Sequence, residues 1–154
     1  MAAVVDDNTL RLTRIFDAPR ERVFDAWTDE KQFAEWFGPP GVTTVYCNLD
    51  VRVGGGWRLL GRNEERSFAV SGKYVEVERP ERLAFTWAWH DKGDHAQPRE
   101  HETTVWLEFR SVAGGKTEMT MVHGAFLDRT GVANHNRGWD GSFGKLDALL
   151  RRTA

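Results

Sequence analysis

The sequence has little of what covalent, metal or cofactor chemistry commonly uses. It contains one cysteine, Cys47, so no internal disulfide can form. It has no G-x-S-x-G turn, no H-E-x-x-H pair, no phosphate-binding glycine loop and no dinucleotide fingerprint. Cys47 falls in a predicted strand, and we interpret it as a small apolar filler rather than a nucleophile. The sequence therefore assigns no catalytic residue, no metal ion and no cofactor.

Long apolar runs and clustered charge of one sign are also absent. No stretch approaches the roughly 20 apolar residues of a membrane-spanning helix, and the first ten residues contain neither a basic nor an apolar signal region. The net charge is −2, and lysine and arginine are spread along the chain, so no basic stripe is available for nucleic acid. These absences predict a cytoplasmic protein with no membrane span and no nucleic-acid partner.

Tryptophan is the residue in excess, with seven in a chain of 154 residues. This length fits one domain, and no repeat or linker interrupts it, so we expect a single domain over residues 1–154. Tryptophan combines a large apolar face with an N–H that needs a partner when buried. Several in one small domain indicate a roomy core or a lined cavity.

The order of hydrophobic periods predicts a strand, two short helices, six further strands and a long final helix. Residues 9–16 alternate as a half-buried strand, Pro19 opens a helix to Trp27, and Asp29 caps a second helix with Gln32 in the capping-box position. From residue 42 onward the apolar residues recur at every second position, as they do in strands. This alternation predicts strands at 42–53, 56–62, 67–78, 82–90, 100–112 and 116–125. Residues 128–152 return to helical spacing, with an apolar stripe formed by Val132, Trp139, Phe143, Leu146 and Leu150.

This order predicts an α+β helix-grip fold, in which a seven-stranded curved antiparallel sheet wraps around a long C-terminal helix. Six stretches have a familiar order and spacing: RIFDAPRERVFDAW at 14–27, F-x-x-W-F-G-P at 33–39, D-x-R-x-G-G at 50–55, G-x-Y-x-E-V at 72–77, ERLAFTWAW at 81–89, and G-W with a leucine-rich end at 138–150. Over almost its whole length the chain resembles the SRPBCC (START-like) superfamily. Within it, the chain is most similar to the C-terminal domain of the activator of the ninety-kilodalton heat-shock protein ATPase.

The resemblance implies a cavity more firmly than a reaction, because this superfamily includes lipid carriers, hormone receptors, aromatase/cyclase enzymes and co-chaperone domains. A curved sheet and one helix cannot pack densely along their whole length, so a gap between them is expected. Strand alternation and the helix stripe then supply the candidate ligand-binding residues. They are Phe37, Trp57, Tyr74, Phe85, Trp87, Trp89, Leu107, Met119, Met121, His123, His135, Trp139 and Phe143.

The roles of several polar residues on or near the predicted strands are less clear from the sequence. His123 shares a strand face with two methionines, and it either contacts a ligand or is a structural histidine with protein partners. Tyr74 and Glu76 share one face of their strand, but Val75 and Val77 compete for the inward position. Asp50 and Arg52 are expected to form a local ion pair or hydrogen bond that shapes the following glycine turn.

Two further patterns have more than one interpretation. Gly138, Gly141 and Gly144 recur at intervals of three along the final helix, either for tight packing on the sheet or to leave space for a ligand. Three histidines and two aspartates fall in the segment 90–101, where they form either a solvated hairpin loop or ligands of a divalent metal. The spacing matches no known metal site, and we favour the loop.

Three functions remain open. The first is binding of a hydrophobic small molecule between the sheet and the helix. The second is a cyclase, aromatase or hydrolase that uses a buried histidine or Glu76 as acid or base. The third is a chaperone-interaction or stress-response module, which needs an exposed apolar patch on the outer sheet or on the helix at 33–37. The ligand and the oligomeric state, a homodimer included, stay open.

Overall fold

A computed structural model describes residues 2–6, 8–126 and 128–152, with side chains described from residue 8 onward except at position 129. The strands in these ranges are β1 (Ala2–Asp6), β2 (Thr9–Phe16), β3 (Thr43–Leu49), β4 (Gly56–Arg62), β5 (Ser67–Glu78), β6 (Arg82–Trp89), β7 (Thr103–Val112) and β8 (Lys116–Gly124). The helices are α1 (Arg20–Thr28), α2 (Glu30–Trp36) and α3 (Arg129–Arg152), and a short 3-10 turn spans Asp91–Gly93.

The strands form one antiparallel sheet with the order β1-β2-β8-β7-β6-β5-β4-β3. Strands β2 to β8 are the seven predicted ones, and the predicted curved helix-grip fold is confirmed. Strand β1 is an additional edge strand that the pattern of the first residues does not predict. It pairs with β2, where Val4 lies opposite Leu10.

The two short helices begin where the sequence predicts. Pro19 precedes α1, and its carbonyl accepts the first helical hydrogen bond from Val23 N–H at 3.2 Å. Asp29 caps α2, because its carboxylate accepts from the backbone N–H of Lys31 at 3.1 Å and from the side chain of Gln32 at 2.9 Å. Trp27 of α1 and Trp36 of α2 both contact the ring of Phe143 on α3.

Helix α3 lies across the inner face of the sheet with its predicted apolar stripe buried. An ion pair between Arg14 on β2 and Asp140, at 2.7 Å, joins the helix to the sheet. A Cβ atom at Gly141 would lie 2.9 Å from Pro40, so the helix packs closely on the Pro39–Pro40 turn. The tight-packing interpretation therefore holds at Gly141, although the partner is this turn rather than the sheet.

Aromatic rings fill one end of the space between helix and sheet. The ring of Trp27 contacts Trp36 with centroids 4.7 Å apart, Trp139 at 5.7 Å and Phe143 at 6.1 Å. Edge-to-face and tilted contacts of this kind pack densely and exclude water. The volume beneath α3 that is not filled must therefore lie at its other end.

A bulge in β5 decides which side chains of this strand face inward. Tyr74 pairs with Phe85 and Glu76 pairs with Ala84, so Val75 is an extra residue on β5. Tyr74 is buried, Val75 is 47% exposed, and Val77 packs against the core. The bulge reverses the alternation, so Tyr74 and Val77 both point inward while Glu76 forms an ion pair with Arg82 at 3.4 Å.

Candidate functional site

A cavity of about 800 Å³ lies between α3 and strands β4 to β6, at the end that the aromatic cluster leaves unfilled. It is partly open to solvent. Its volume falls in the range of small-molecule sites, which are typically about 300–1,000 Å³. The residues along its wall come from the turn after α2, from β4, from β5 and the loop before it, from β6 and the loop after it, and from α3. Among them are Phe37, Pro39, Leu59, Phe68, Ala69, Trp87, Trp89, His135, Gly138, Trp139 and Ser142.

The structure places five of the thirteen predicted ligand-binding residues on this wall, namely Phe37, Trp87, Trp89, His135 and Trp139. The other eight do not line it. Trp57, Tyr74 and Phe85 surround a separate void of only about 10 Å³, which is barely enough for one water molecule. The rest are buried in the packed core: Leu107, Met119, Met121, His123 and Phe143.

Several residues on the wall are not among those that the sequence predicts. Phe68 is the second residue of β5 and contacts Trp89, with ring centroids 6.5 Å apart. Arg66, Lys92 and Glu100 come from loops, where alternation gives no direction. Phe68 shares the parity of Val70 and Tyr74, so extending the inward face of β5 toward its start could have identified it. No pattern in the sequence marks Arg66 or Lys92. Glu100 begins the strand predicted at 100–112, but β7 begins at Thr103, so Glu100 lies in the preceding loop.

His123 is completely buried, and both of its ring nitrogens have protein partners. Its Nδ1 accepts a hydrogen bond from the indole N–H of Trp139 at 3.1 Å. The neutral ring therefore carries its proton on Nε2, which donates to the hydroxyl of Thr103 at 2.7 Å. The Thr103 hydroxyl in turn donates a hydrogen bond to the carbonyl oxygen of Trp87 at 3.1 Å. Burial, and then the nearby His135, lower the pKa of His123 well below 6.5.

His135 lies on the cavity wall and has the opposite tautomer. Its Nε2 accepts from the indole N–H of Trp89 at 3.0 Å, and its Nδ1 donates to the carbonyl of Gly131 at 2.8 Å. Burial lowers the pKa of His135, although the hydrogen bond to Gly131 acts in the other direction. Neither histidine therefore has a free nitrogen with which to take a proton from a substrate.

Trp87 is the one cavity tryptophan with an unpartnered N–H. The N–H groups of Trp89 and Trp139 are taken by the two histidines, whereas Trp87 Nε1 is buried and has no hydrogen-bond partner within the described ranges. Ser142 on α3 bonds to the carbonyl of Gly138 at 3.0 Å. The inner wall of the cavity is thus apolar and aromatic, with almost every polar atom already satisfied.

The histidines of segment 90–101 bind protein groups. His90 contacts the Ser71 hydroxyl at 2.7 Å and the carbonyl of Gln97 at 2.9 Å, and His95 contacts the Tyr46 hydroxyl and the carbonyl of Val70. Nowhere in the described part of the chain do three or more His, Cys, Asp or Glu side chains come close enough to hold a metal ion. The segment is a hydrogen-bonded loop that packs over β5.

Two predictions about single residues can be checked directly. The ion pair between Asp50 and Arg52 is confirmed, with Arg52 Nε 3.0 and 2.9 Å from the two carboxylate oxygens. Cys47 packs against the core as a partly buried side chain. Burial, and then the carboxylate of Glu30, raise the pKa of Cys47 to about 12. Cys47 is therefore a poor nucleophile, as its filler role implies.

The fold and the cavity together define a helix-grip protein with one apolar site between its sheet and its long helix. A family model described as "Activator of Hsp90 ATPase homolog 1-like protein" matches residues 17–151. The chain belongs to this family. A comparison with curated proteins finds no significant match. None of the described helices is long and apolar enough to cross a membrane.

Solved structures support the same assignment. The AHSA1 protein of Silicibacter pomeroyi is 29% identical, with 95% of this chain and 99% of that chain covered and a TM-score of 0.84. A protein of Chromobacterium violaceum is 28% identical, with 93% and 96% covered and a TM-score of 0.82. A Staphylococcus epidermidis protein at 20% identity, with 100% and 96% covered and a TM-score of 0.83, shows the fold alone.

Proposed function

We propose that this protein binds a hydrophobic small molecule in the cavity beneath α3. The observation that carries this proposal is the contrast between the two ends of the helix–sheet space. One end is filled by the rings around Trp27. The other end contains a cavity of about 800 Å³ that is lined by Phe37, Phe68, Trp87 and Trp89. Large aromatic side chains around an unfilled volume are typical of small-molecule sites.

Binding is favoured over acid–base catalysis by the hydrogen bonds of the two buried histidines. A general base needs a lone pair within reach of the substrate proton. In His123 and His135 the lone pair accepts from a tryptophan N–H, and the other nitrogen donates to Thr103 or Gly131. Glu76 pairs with Arg82 and does not line the cavity. Glu100, the carboxylate among the described lining residues, is exposed at the mouth and not buried beside the aromatic wall.

A chaperone-contact module has less support. Phe33, Trp36 and Phe37 are all buried, so the short helix α2 presents no apolar patch. The large exposed apolar side chains among the described residues are Ile15, Val45, Val53, Val75 and Trp106, and they lie on different strands and turns. Single exposed apolar residues are normal on a protein surface.

The test uses the uncharged fluorescent probe N-phenyl-1-naphthylamine and two variants of α3. A Cβ atom would meet no heavy atom within 4 Å at either Gly138 or Gly144, but Gly138 borders the cavity and Gly144 does not. Gly138→Leu should place a side chain inside the cavity, obstruct the probe and weaken its binding about tenfold or more, which corresponds to about 1.4 kcal/mol. Gly144→Leu is the matched control and should bind like the original protein. Equal affinity in all three proteins, or no binding to any, would contradict the proposal.

A further inference from the structure

The mouth of the cavity carries two cations, Arg66 and Lys92, and both are exposed. Neither forms an ion pair with any described residue, and the guanidinium of Arg66 lies 4.9 Å from the centre of the Phe68 ring. Other arginines of this chain are paired with carboxylates. They are Arg14, Arg52, Arg79, Arg82, Arg99, Arg110, Arg151 and Arg152. No carboxylate of the described residues therefore neutralises the two cations at the mouth.

A close backbone contact holds these cations on the same side of the mouth. Ser67 follows Arg66, Gly93 follows Lys92, and the Ser67 hydroxyl donates to the carbonyl of Gly93 at 2.9 Å. A Cβ atom at Gly93 would lie 2.0 Å from the carbonyl oxygen of Ser67, so only glycine permits this approach. Each cation is thus one residue away from a contact that joins the two loops.

The backbone of Lys92 is held in an unusual conformation. Its φ of 57° and ψ of 18° lie in the left-handed region, which residues with a side chain adopt rarely. Such conformations persist where the surrounding structure imposes them, and they cluster at ligand contacts. One carboxylate, Glu100, also borders the mouth. Among the described residues that line the cavity, two cations and one anion give a net charge of +1.

We propose that the cavity takes an organic anion, with its apolar body against the tryptophans and its acid group at the mouth beside Arg66 and Lys92. This inference rests on the proposed function and narrows it to one ligand class. The apolar inner wall excludes a buried charge, because an ion without partners is costly to remove from water. The acid group must therefore stay at the rim, where a guanidinium offers paired donors and an ammonium offers a point charge.

Two probes with nearly the same aromatic body test this inference. The dye 8-anilinonaphthalene-1-sulfonate carries a sulfonate, whereas N-phenyl-1-naphthylamine has the same ring system and no charge. We expect the double variant Arg66→Gln/Lys92→Gln to bind the sulfonate about three- to tenfold more weakly. The effect is of this size because each solvent-exposed ion pair contributes little binding free energy. Its affinity for the uncharged probe should stay within about twofold, because the apolar wall is unchanged. Added salt should weaken sulfonate binding to the original protein more than to the variant.

The control is Arg11→Gln/Lys116→Gln, which removes the same charge at two exposed positions that do not line the cavity. It should bind both probes like the original protein. Equal sulfonate affinity in the original protein and the Arg66/Lys92 variant would overturn this inference while leaving the proposed function intact. An equal loss for both probes would also overturn it, because the effect would then not depend on charge. No binding of either probe to the original protein would overturn both proposals.

Discussion

The indole N–H of Trp139 on α3 donates to Nδ1 of His123 on β8 across 3.1 Å. This hydrogen bond joins the long helix to the centre of the sheet in a site with no access to water. It also fixes the tautomer of His123 and, through Thr103, continues to the carbonyl of Trp87 beside the cavity. The helix is therefore held over the sheet by a specific polar contact as well as by its apolar stripe.

Removal of the His123 ring should destabilise the protein strongly. In His123→Ala, the buried N–H of Trp139 loses its acceptor and the site gains a cavity, so we expect a loss of about 2–4 kcal/mol in the free energy of unfolding. Urea unfolding measures this loss. The free energy of unfolding should depend on urea concentration with the same slope in the variant and in the original protein. His101→Ala, at an exposed histidine, is the control and should lose less than about 1 kcal/mol. Similar losses in both variants would show that the network contributes little.

Stability should fall as the pH is lowered below 6.5. Burial is the largest cause that lowers the pKa values of His95, His123 and His135 below the ordinary 6.5. Between each folded pKa and 6.5, the unfolded chain binds a proton that the folded chain does not, so acid favours unfolding. The stabilisation is fully present above pH 6.5 and is lost by up to about 1.4 kcal/mol per pH unit for each of the buried residues His123 and His135. His95 contributes less, because solvent screens its partly exposed ring.

Urea unfolding between pH 7.5 and 5.5 measures this dependence. His123→Gln provides the comparison, because a glutamine amide can accept from Trp139 and donate to Thr103 without titrating. Its stability should decline less steeply with acid than that of the original protein. A stability that is independent of pH in this range would rule out the depressed histidine pKa values.

The glycines of α3 should respond differently to alanine. A methyl group at Gly144 meets no atom within 4 Å, so Gly144→Ala should stabilise the protein by about 1 kcal/mol through helix propensity alone. At Gly141 the same methyl group lies 2.9 Å from Pro40, and that clash should cancel the gain. Thermal unfolding of the two variants compares them. A larger stabilisation from Gly141→Ala would disprove the close packing on the Pro39–Pro40 turn.

Cys47 should react slowly with thiol reagents. Its pKa of about 12 leaves about a thousandfold less thiolate at pH 8 than a thiol with the ordinary value of 9.0. Reaction with dithionitrobenzoate should therefore be slow in buffer and become fast in urea, where the chain is unfolded. A rapid stoichiometric reaction of the folded protein would contradict the filler role.

Much of this fold follows from the sequence because the two periods are clear. The alternation of Leu83, Phe85, Trp87 and Trp89 gives their common inward face, and the helical spacing of α3 gives its buried stripe. Strand β5 is different, because the bulge at Val75 reverses the alternation within the strand. A bulge adds one residue without a mark in the hydrophobic pattern.

The cavity was harder to predict than the fold. Alternation says that Phe85 and Trp87 face inward, but not that Phe85 borders a void of about 10 Å³ while Trp87 borders one of about 800 Å³. The difference depends on how far the rings around Trp27 extend beneath α3, which is a property of three-dimensional packing. Arg66 and Lys92 are far apart in the sequence, and they come together where Ser67 contacts Gly93.

The central claim of a ligand between α3 and the sheet is tested most directly by the indole N–H signals of the seven tryptophans. They can be followed by ¹H–¹⁵N NMR during titration with N-phenyl-1-naphthylamine and assigned by single Trp→Phe variants. Binding in the cavity should shift the signals of Trp87, Trp89 and Trp139 and leave that of Trp106, which is 47% exposed on the other face of the sheet, in place. A shift of Trp106 alone, or unchanged signals from all seven, would contradict the account.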